Sequence, residues 1–254
     1  MEVHHHPMAI GSHTSRRKWT HYFWEFFMLF LAVFCGFLAE YQLEHVIEHK
    51  REKQYMRTLV EDLKNDVIGL EECLQFWKRV DQKIDSVRPL LRTSLNNDNL
   101  EEIYEMTAML IDFNDFIYSD RTIEQLRNSG NFRLIRNEHV SDTLVSYDSF
   151  IRVQLKEQES TLLNILLDLL QLQNELFDSD GVEVKFKKVK KMTSSTDTTG
   201  LEYTIVNNKE KIFKYYNDLF LYRVGIQYII SSEDGLKKWA ENLIVLIRKE
   251  YHLE

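Results

Sequence analysis

Fourteen apolar residues follow one another from Phe26 to Ala39, and no other stretch of the chain is comparably hydrophobic. Spanning a hydrocarbon core about 30 Å thick takes roughly 20 mainly apolar helical residues at about 1.5 Å each. Tyr22 to Tyr41 supplies them if Glu25 and Glu40 sit at the two interfaces. Trp19, Tyr22, Trp24 and Tyr41 fall where amphipathic rings favour the headgroup region. The run is apolar on every face rather than along one stripe, as a lipid-exposed helix requires. We therefore predict a transmembrane helix over residues 21–41, with Trp24, Phe26, Leu29, Leu31, Val33, Phe37 and Leu38 as its anchoring side chains. Phe37-Leu38-Ala39 puts bulk where a cleaved leader needs small residues, so the anchor is expected to be retained.

Beyond the anchor the apolar positions fall into alternating steps of three and four: Met56, Val60, Leu63, Val67, Leu70, Leu74, Trp77 and, after Asp81 in the expected slot, Ile84. Such spacing keeps one seam on one side of an α-helix. The helix is expected to run to about Arg88, where Pro89 disfavours continuation. The seam can pair with another subunit or, as the reading favoured here, with helices of its own chain, since those also have apolar faces to bury.

Leu100 to Ile117 reads as the next helix. A short one follows, capped by Asp120 or Thr122 and ended by Asn128-Ser129-Gly130. Glu138 to Phe177 reads as a second long helix that stops at Asp178-Ser179-Asp180-Gly181. From Val182 to Val206 the pattern changes to period two, with Val182, Val184 and Phe186 alternating with charged residues, and Leu201, Tyr203 and Ile205 alternating likewise. This predicts a small β-hairpin over 182–206 with a polar tip from Thr193 to Gly200. Two closing helices are expected, Lys209 to Ile230 and Asp234 to Tyr251, separated by Ser231-Ser232-Glu233 and capped by Asn207 and Ser232. The predicted fold class is mainly α: one N-terminal transmembrane helix, then a long-helix bundle with a small hairpin insertion.

Composition agrees with long helices. The 254 residues contain 8 Gly and 2 Pro, well below the usual shares of roughly 7% and 5%. The net charge is −8, and the excess acid lies beyond residue 40, which disfavours nucleic acid as a partner. Counted in Lys and Arg, the two flanks of the anchor nearly tie. Arg16-Arg17-Lys18 lies closer to the apolar run, and long downstream domains translocate regardless of charge. Residues 1–20 are accordingly expected in the cytoplasm and 42–254, a soluble helical domain, outside it. Cys35 in the anchor and Cys73 in the seam helix are poorly placed to form a disulfide.

Candidate chemistry is sparse. His45, Glu48 and His49 match the H-x-x-E-H zinc-peptidase spacing, in which two histidines one turn apart hold the metal and the glutamate activates water. They lie in a charge-rich helix just past the anchor with no clear third ligand, Glu124 being nominated only by counting residues. A solvated juxtamembrane face is the preferred reading, and no catalytic residue, metal or cofactor is predicted. Lys185, Lys187, Lys188, Lys190 and Lys191 invite an anionic-ligand reading, against which a solvated strand face is preferred. Asp112, Asp115 and Asp120 beside Phe113, Phe116 and Tyr118 are read as a helix with acids outward and aromatics inward. The common phosphate-binding and serine-hydrolase signatures are absent from the sequence.

Several stretches carry a resemblance. Glu2 to Pro7, the Gly36-Phe37-Leu38-Ala39-Glu40 exit of the anchor, Tyr55 to Asp66 (YMRTLVEDLKND) and Thr122 to Arg136 (TIEQLRNSGNFRLIR) resemble a family of uncharacterised, membrane-anchored helical proteins of Gram-negative bacteria. The resemblance covers most of residues 1–150. It implies a single-pass, mainly helical envelope protein with His4 to His6 native, and it brings no catalytic residues; joined to the orientation argued above, this is expected to put the protein in the inner membrane with residues 42–254 periplasmic. Two functions are then open. One is a tethered structural or interaction module that holds copies of itself or other envelope proteins. The other is an extracytoplasmic sensor that works with a separate transducing partner. Residues 1–20 are too few for a signalling domain, so the interaction module is preferred, and the outer domain is expected to lack a small-ligand pocket.

Overall fold

The computed structural model describes residues 15–93, 97–190 and 203–253. His4 to His6, His13, Lys191, Leu201 and the hairpin tip from Thr193 to Gly200 fall outside them. The chain divides into two compact units, residues 1–53 and 54–254. Helix α1, Ser15–Val87, contributes to both, and its first part makes up all that is described of the first unit.

The second unit is a helical bundle. After α1, Pro89 opens a 3-10 turn over Arg88–Arg92, as its missing N–H and fixed φ allow at a helix start. Then come α2, Asn97–Met109; α3, Arg121–Asn128; a 3-10 turn, Asn131–Leu134; α4, Glu138–Ser149; a π-helical segment, Phe150–Leu155; α5, Lys156–Leu176; α6, Ser179–Val189; and α7, Lys209–Tyr251. The seam of α1 supplies one wall of the core. Met56, Val60, Leu63, Leu70, Leu74, Trp77 and Ile84 are buried and Val67 is half-buried. Leu59, Cys73, Val80 and Val87 are buried with them, so the apolar face is wider than a coiled-coil seam. The seam packs inside its own chain.

Helix α7 runs antiparallel to α1. Arg223 donates Nε to Asp81 Oδ1 at 2.9 Å and Lys237 pairs with Glu71 at 2.7 Å. It is also antiparallel to α5, with Tyr215 donating to Gln173 Oε1 at 3.2 Å and Lys211 pairing with Glu175 at 2.8 Å. Asp81, which interrupts the apolar pattern of α1, thus takes a slot where an arginine of α7 meets it.

Four expectations are corrected. The hairpin over 182–206 is not formed, and among the described residues there is no strand, only an isolated bridge between Phe177 and Ile205. Val182 and Phe186 are spaced i, i+4 as well as by twos, so the same residues serve a helix. Asp178 starts that helix, α6, by accepting the Asp180 N–H at 2.8 Å. Gly181, which looks like a terminator, is needed inside it, because a Cβ there would lie 2.6 Å from the ring of Tyr104. That ring is held by its hydroxyl, which donates to Thr204 O and accepts from Asp178 N.

The second correction concerns the closing helices, which are one. Ser231, Ser232 and Glu233 continue α7 because Ile226, Ile229, Leu236, Ala240 and Leu243 keep a single buried face across them. Asn208, rather than Asn207, caps its start by accepting Lys211 N–H at 3.1 Å. Third, the helix expected to reach Ile117 ends at Met109, and Asp112 to Asp120 is an irregular strap. Fourth, the long helix expected from Glu138 to Phe177 widens into a π-helix over Phe150–Leu155.

Candidate functional site

From Trp19 to Glu44, α1 is exposed on all sides. Trp19, Tyr22, Trp24, Phe26, Leu29, Leu31, Val33, Phe37 and Leu38 are all exposed, Leu29 by 68% and Phe37 by 72%. Phe26, Phe30 and Phe34 stack one above the next along one side, at i, i+4 spacing. The stretch is long and apolar enough to cross a membrane, and its apolar window is 0% buried. Cys35 lies within it as a free, exposed thiol.

His45, Glu48 and His49 lie on the same helix. His45 packs edge-on against Tyr41 with ring centroids 4.5 Å apart, and His49 Nδ1 is 3.4 Å from Glu52 Oε2. Glu124 is engaged elsewhere, by Arg127 at 3.0 Å and Arg152 at 2.8 Å. Among the described residues no group of three or more His, Cys, Asp or Glu is arranged to hold a metal.

The polar chemistry of the second unit centres on the strap, and sequence reading missed it. Phe116 N–H donates to Glu159 of α5 at 2.9 Å, and Ser119 N–H donates to Asp66 of α1 at 2.8 Å. Asp62, one turn earlier on α1, accepts from the Thr122 N–H and the Arg121 guanidinium, both at 2.9 Å, and from the Thr122 hydroxyl. The first turn of α3 is therefore capped by a carboxylate from another helix, while Asp120 makes no side-chain cap. Tyr55 also accepts from Asn131 at 3.0 Å. Two stretches that carry the family resemblance, Tyr55 to Asp66 and Thr122 to Arg136, are thus docked on each other.

The π-helical segment presents Arg152 to the same region. Its guanidinium donates to Asp148 at 2.8 Å, Asp120 at 2.9 Å and Glu124 at 2.8 Å. Asp112 pairs with Lys190 at 2.5 Å, so two of the three strap-region acids are taken by cations. Lys185 pairs with Glu101, and Lys187 with Glu183. These lysines are matched by acids rather than grouped around an open anion site.

One buried acid has no ion-pair partner among the described residues. Glu233 is 0% exposed and neither carboxylate oxygen has a hydrogen-bond partner. Burial pushes its carboxyl up to about 8, the charge of Glu159 adds to this, and Trp77 and Lys156 act in the opposite direction. Burial likewise raises Asp66 to about 6, against the Ser119 and Tyr147 hydrogen bonds that favour its charged form. Cys73, buried near Glu233 and Glu159, is pushed up to about 12, so it stays a thiol and is a poor nucleophile.

Three open grooves mark the surface of this unit. One, of about 400 Å³, is lined by Glu101, Glu102, Glu105 and Lys185. A second, of about 510 Å³, lies between the 3-10 turn after α1 and the start of α7. A third, of about 360 Å³, runs between α5 and α7 beside Leu162, Ile165 and Tyr228. These volumes fall within the range of small-ligand sites, roughly 300 to 1,000 Å³, although each is an open groove. No protein-family description, curated protein or solved structure matches this chain.

Proposed function

We propose that this protein is a single-pass, membrane-tethered helical module that holds partner proteins, or copies of itself, at the surface of the bacterial inner membrane, without catalysis. The observation that carries the reading is the exposed apolar stretch of α1. About 20 mainly apolar residues, fourteen of them unbroken from Phe26 to Ala39, form a lipid-compatible surface exposed on every side, whereas most other large apolar side chains of the described residues pack into a core. The resemblance to membrane-anchored envelope proteins supports the same assignment. The matched ion pairs of the strap support a structural use of its acids. Because the α1 seam is consumed within the chain, a partner must use another face, and the exposed Leu221 and Tyr228 of α7 offer one.

Fractionation and fusion reporters test this. The protein should stay in the membrane pellet through alkaline carbonate, and alkaline phosphatase fused after Glu254 should be active in a Gram-negative host. Release by carbonate would overturn the tether. A silent phosphatase with a fluorescent cytoplasmic reporter would reverse the orientation. The sensor reading is kept as second, because the groove beside Arg92 has the size of a ligand site.

A further inference from the structure

We propose that the groove between the 3-10 turn at Arg88–Arg92 and the first turns of α7 binds an anionic amphiphile, a medium-length acyl carboxylate, with its head at Arg92 and Lys209 and its chain along Leu91, Ile212, Phe213 and Tyr216. The inference stands apart from the tether and its partners, and it requires only that the second unit fold as described.

Charge carries the first step. The chain as a whole is acidic, at −8, yet among the described residues no Asp or Glu lines this groove. Most other lysines and arginines that approach a groove or the core are matched: Lys185 by Glu101, Lys190 by Asp112, Arg223 by Asp81. Arg92 and Lys209 are both exposed and neither makes an ion pair among the described residues, while the Arg92 guanidinium lies 5.3 Å from the Tyr216 ring centroid. Two unmatched cations on one rim favour a carboxylate, and the guanidinium offers it a bidentate fork.

The walls carry the second step. Leu91 is buried at the base, while Phe213 is 58% exposed, a large ring left facing water. Tyr216 is held in place by Arg88, whose guanidinium lies 3.7 Å from the ring centroid and whose Nε donates to Tyr216 O at 2.8 Å. The Tyr216 side of the wall is therefore held before a ligand arrives, which limits the ordering cost of binding. A volume of about 510 Å³ suits a single short chain. A head-only anion leaves the rings exposed, and a neutral chain leaves the cations unmatched.

Equilibrium dialysis of labelled octanoate against the full-length protein in neutral-lipid nanodiscs, with empty nanodiscs subtracted, tests the proposal. Octanoate should bind saturably at one per chain. Affinity should rise about fourfold per CH₂ through the series butyrate, hexanoate, octanoate, as apolar burial dictates. Acetate and 1-octanol should show no saturable binding. Arg92→Glu with Lys209→Glu should weaken octanoate at least tenfold, and Phe213→Ala should flatten the chain-length dependence. All three positions lie at the surface, so their melting temperatures should match the parent. The proposal is overturned if octanoate binding is absent at millimolar concentration, if it is unchanged in the charge-reversed variant, or if 1-octanol binds equally well. Counts that scale with lipid rather than protein would assign the signal to the membrane and overturn it too.

Discussion

Glu233 occupies a place in α7 where its neighbours Ile229 and Leu236 would lead one to write leucine. Its carboxyl is buried without a partner, and its proton is held up to about 8 against an ordinary value of 4.5. Between those two values the unfolded chain gives up a proton that the folded chain keeps. The folded state binds more protons in that window, so this residue makes stability fall as pH rises through it. Glu233→Gln removes the titration while preserving shape. We expect thermal melts of the full-length protein in mild detergent to show little difference at pH 5 and a gain of about 1 to 3 kcal/mol for the variant at pH 8. Parallel behaviour of the two proteins at both pH values would mean that Glu233 is neutralised by something other than its own proton. Asp66, raised to about 6, acts in the same direction over a lower window and is common to both proteins.

At the scale of the element, α7 shows how packing overrides local signals. Ser231-Ser232-Glu233 reads as a joint because serine competes for backbone hydrogen bonds and favours caps. The helix continues through it because one buried face runs from Tyr215 to Tyr251, and burying that face outweighs a propensity cost below about 1 kcal/mol per residue. Ser231 is exposed, so a substitution there reports on the backbone and not on the core. Ser231→Pro should cost about 3 kcal/mol or more by removing a helical hydrogen bond and clashing with the preceding turn. A variant that melted with the parent would restore the two-helix reading. The strap teaches the converse. Asp112 to Asp120 carries a residue pattern as helical as its neighbours, but its N–H groups are taken by Glu159 and Asp66 instead.

For the whole molecule, the decisive division is between an apolar surface left uncovered and one that is consumed. The α1 seam is consumed, which removes it as a self-association surface. Among the exposed apolar side chains of α7, Leu221 and Tyr228 lie two turns apart on one face. The proposed membrane tether would raise the effective concentration of such faces. Light scattering of the full-length protein in mild detergent should therefore report an oligomer, and Leu221→Asp with Tyr228→Asp should reduce it to a monomer. A parent that is already monomeric would confine the interaction to other envelope proteins.

The long apolar helix, the α1 seam and its end at Pro89, and the C-terminal signal at Gly130, where φ is +67°, were all legible in the chain. Each rests on a local or periodic rule: hydrophobic length, 3-4 spacing, a fixed φ, a left-handed cap. What the tertiary structure alone decided is where polar groups find partners. That Asp62 caps α3 across 60 residues, that Asp81 awaits Arg223, and that Gly181 makes room for Tyr104 depend on groups far apart in sequence. The period-two stretch at Val182 became a helix for the same reason. Its spacing suited either structure, and the choice fell to the surface of α2 on which it packs. The groove at Arg92 and Lys209 is likewise invisible in the chain, because the end of α1 and the start of α7 meet only when the bundle closes.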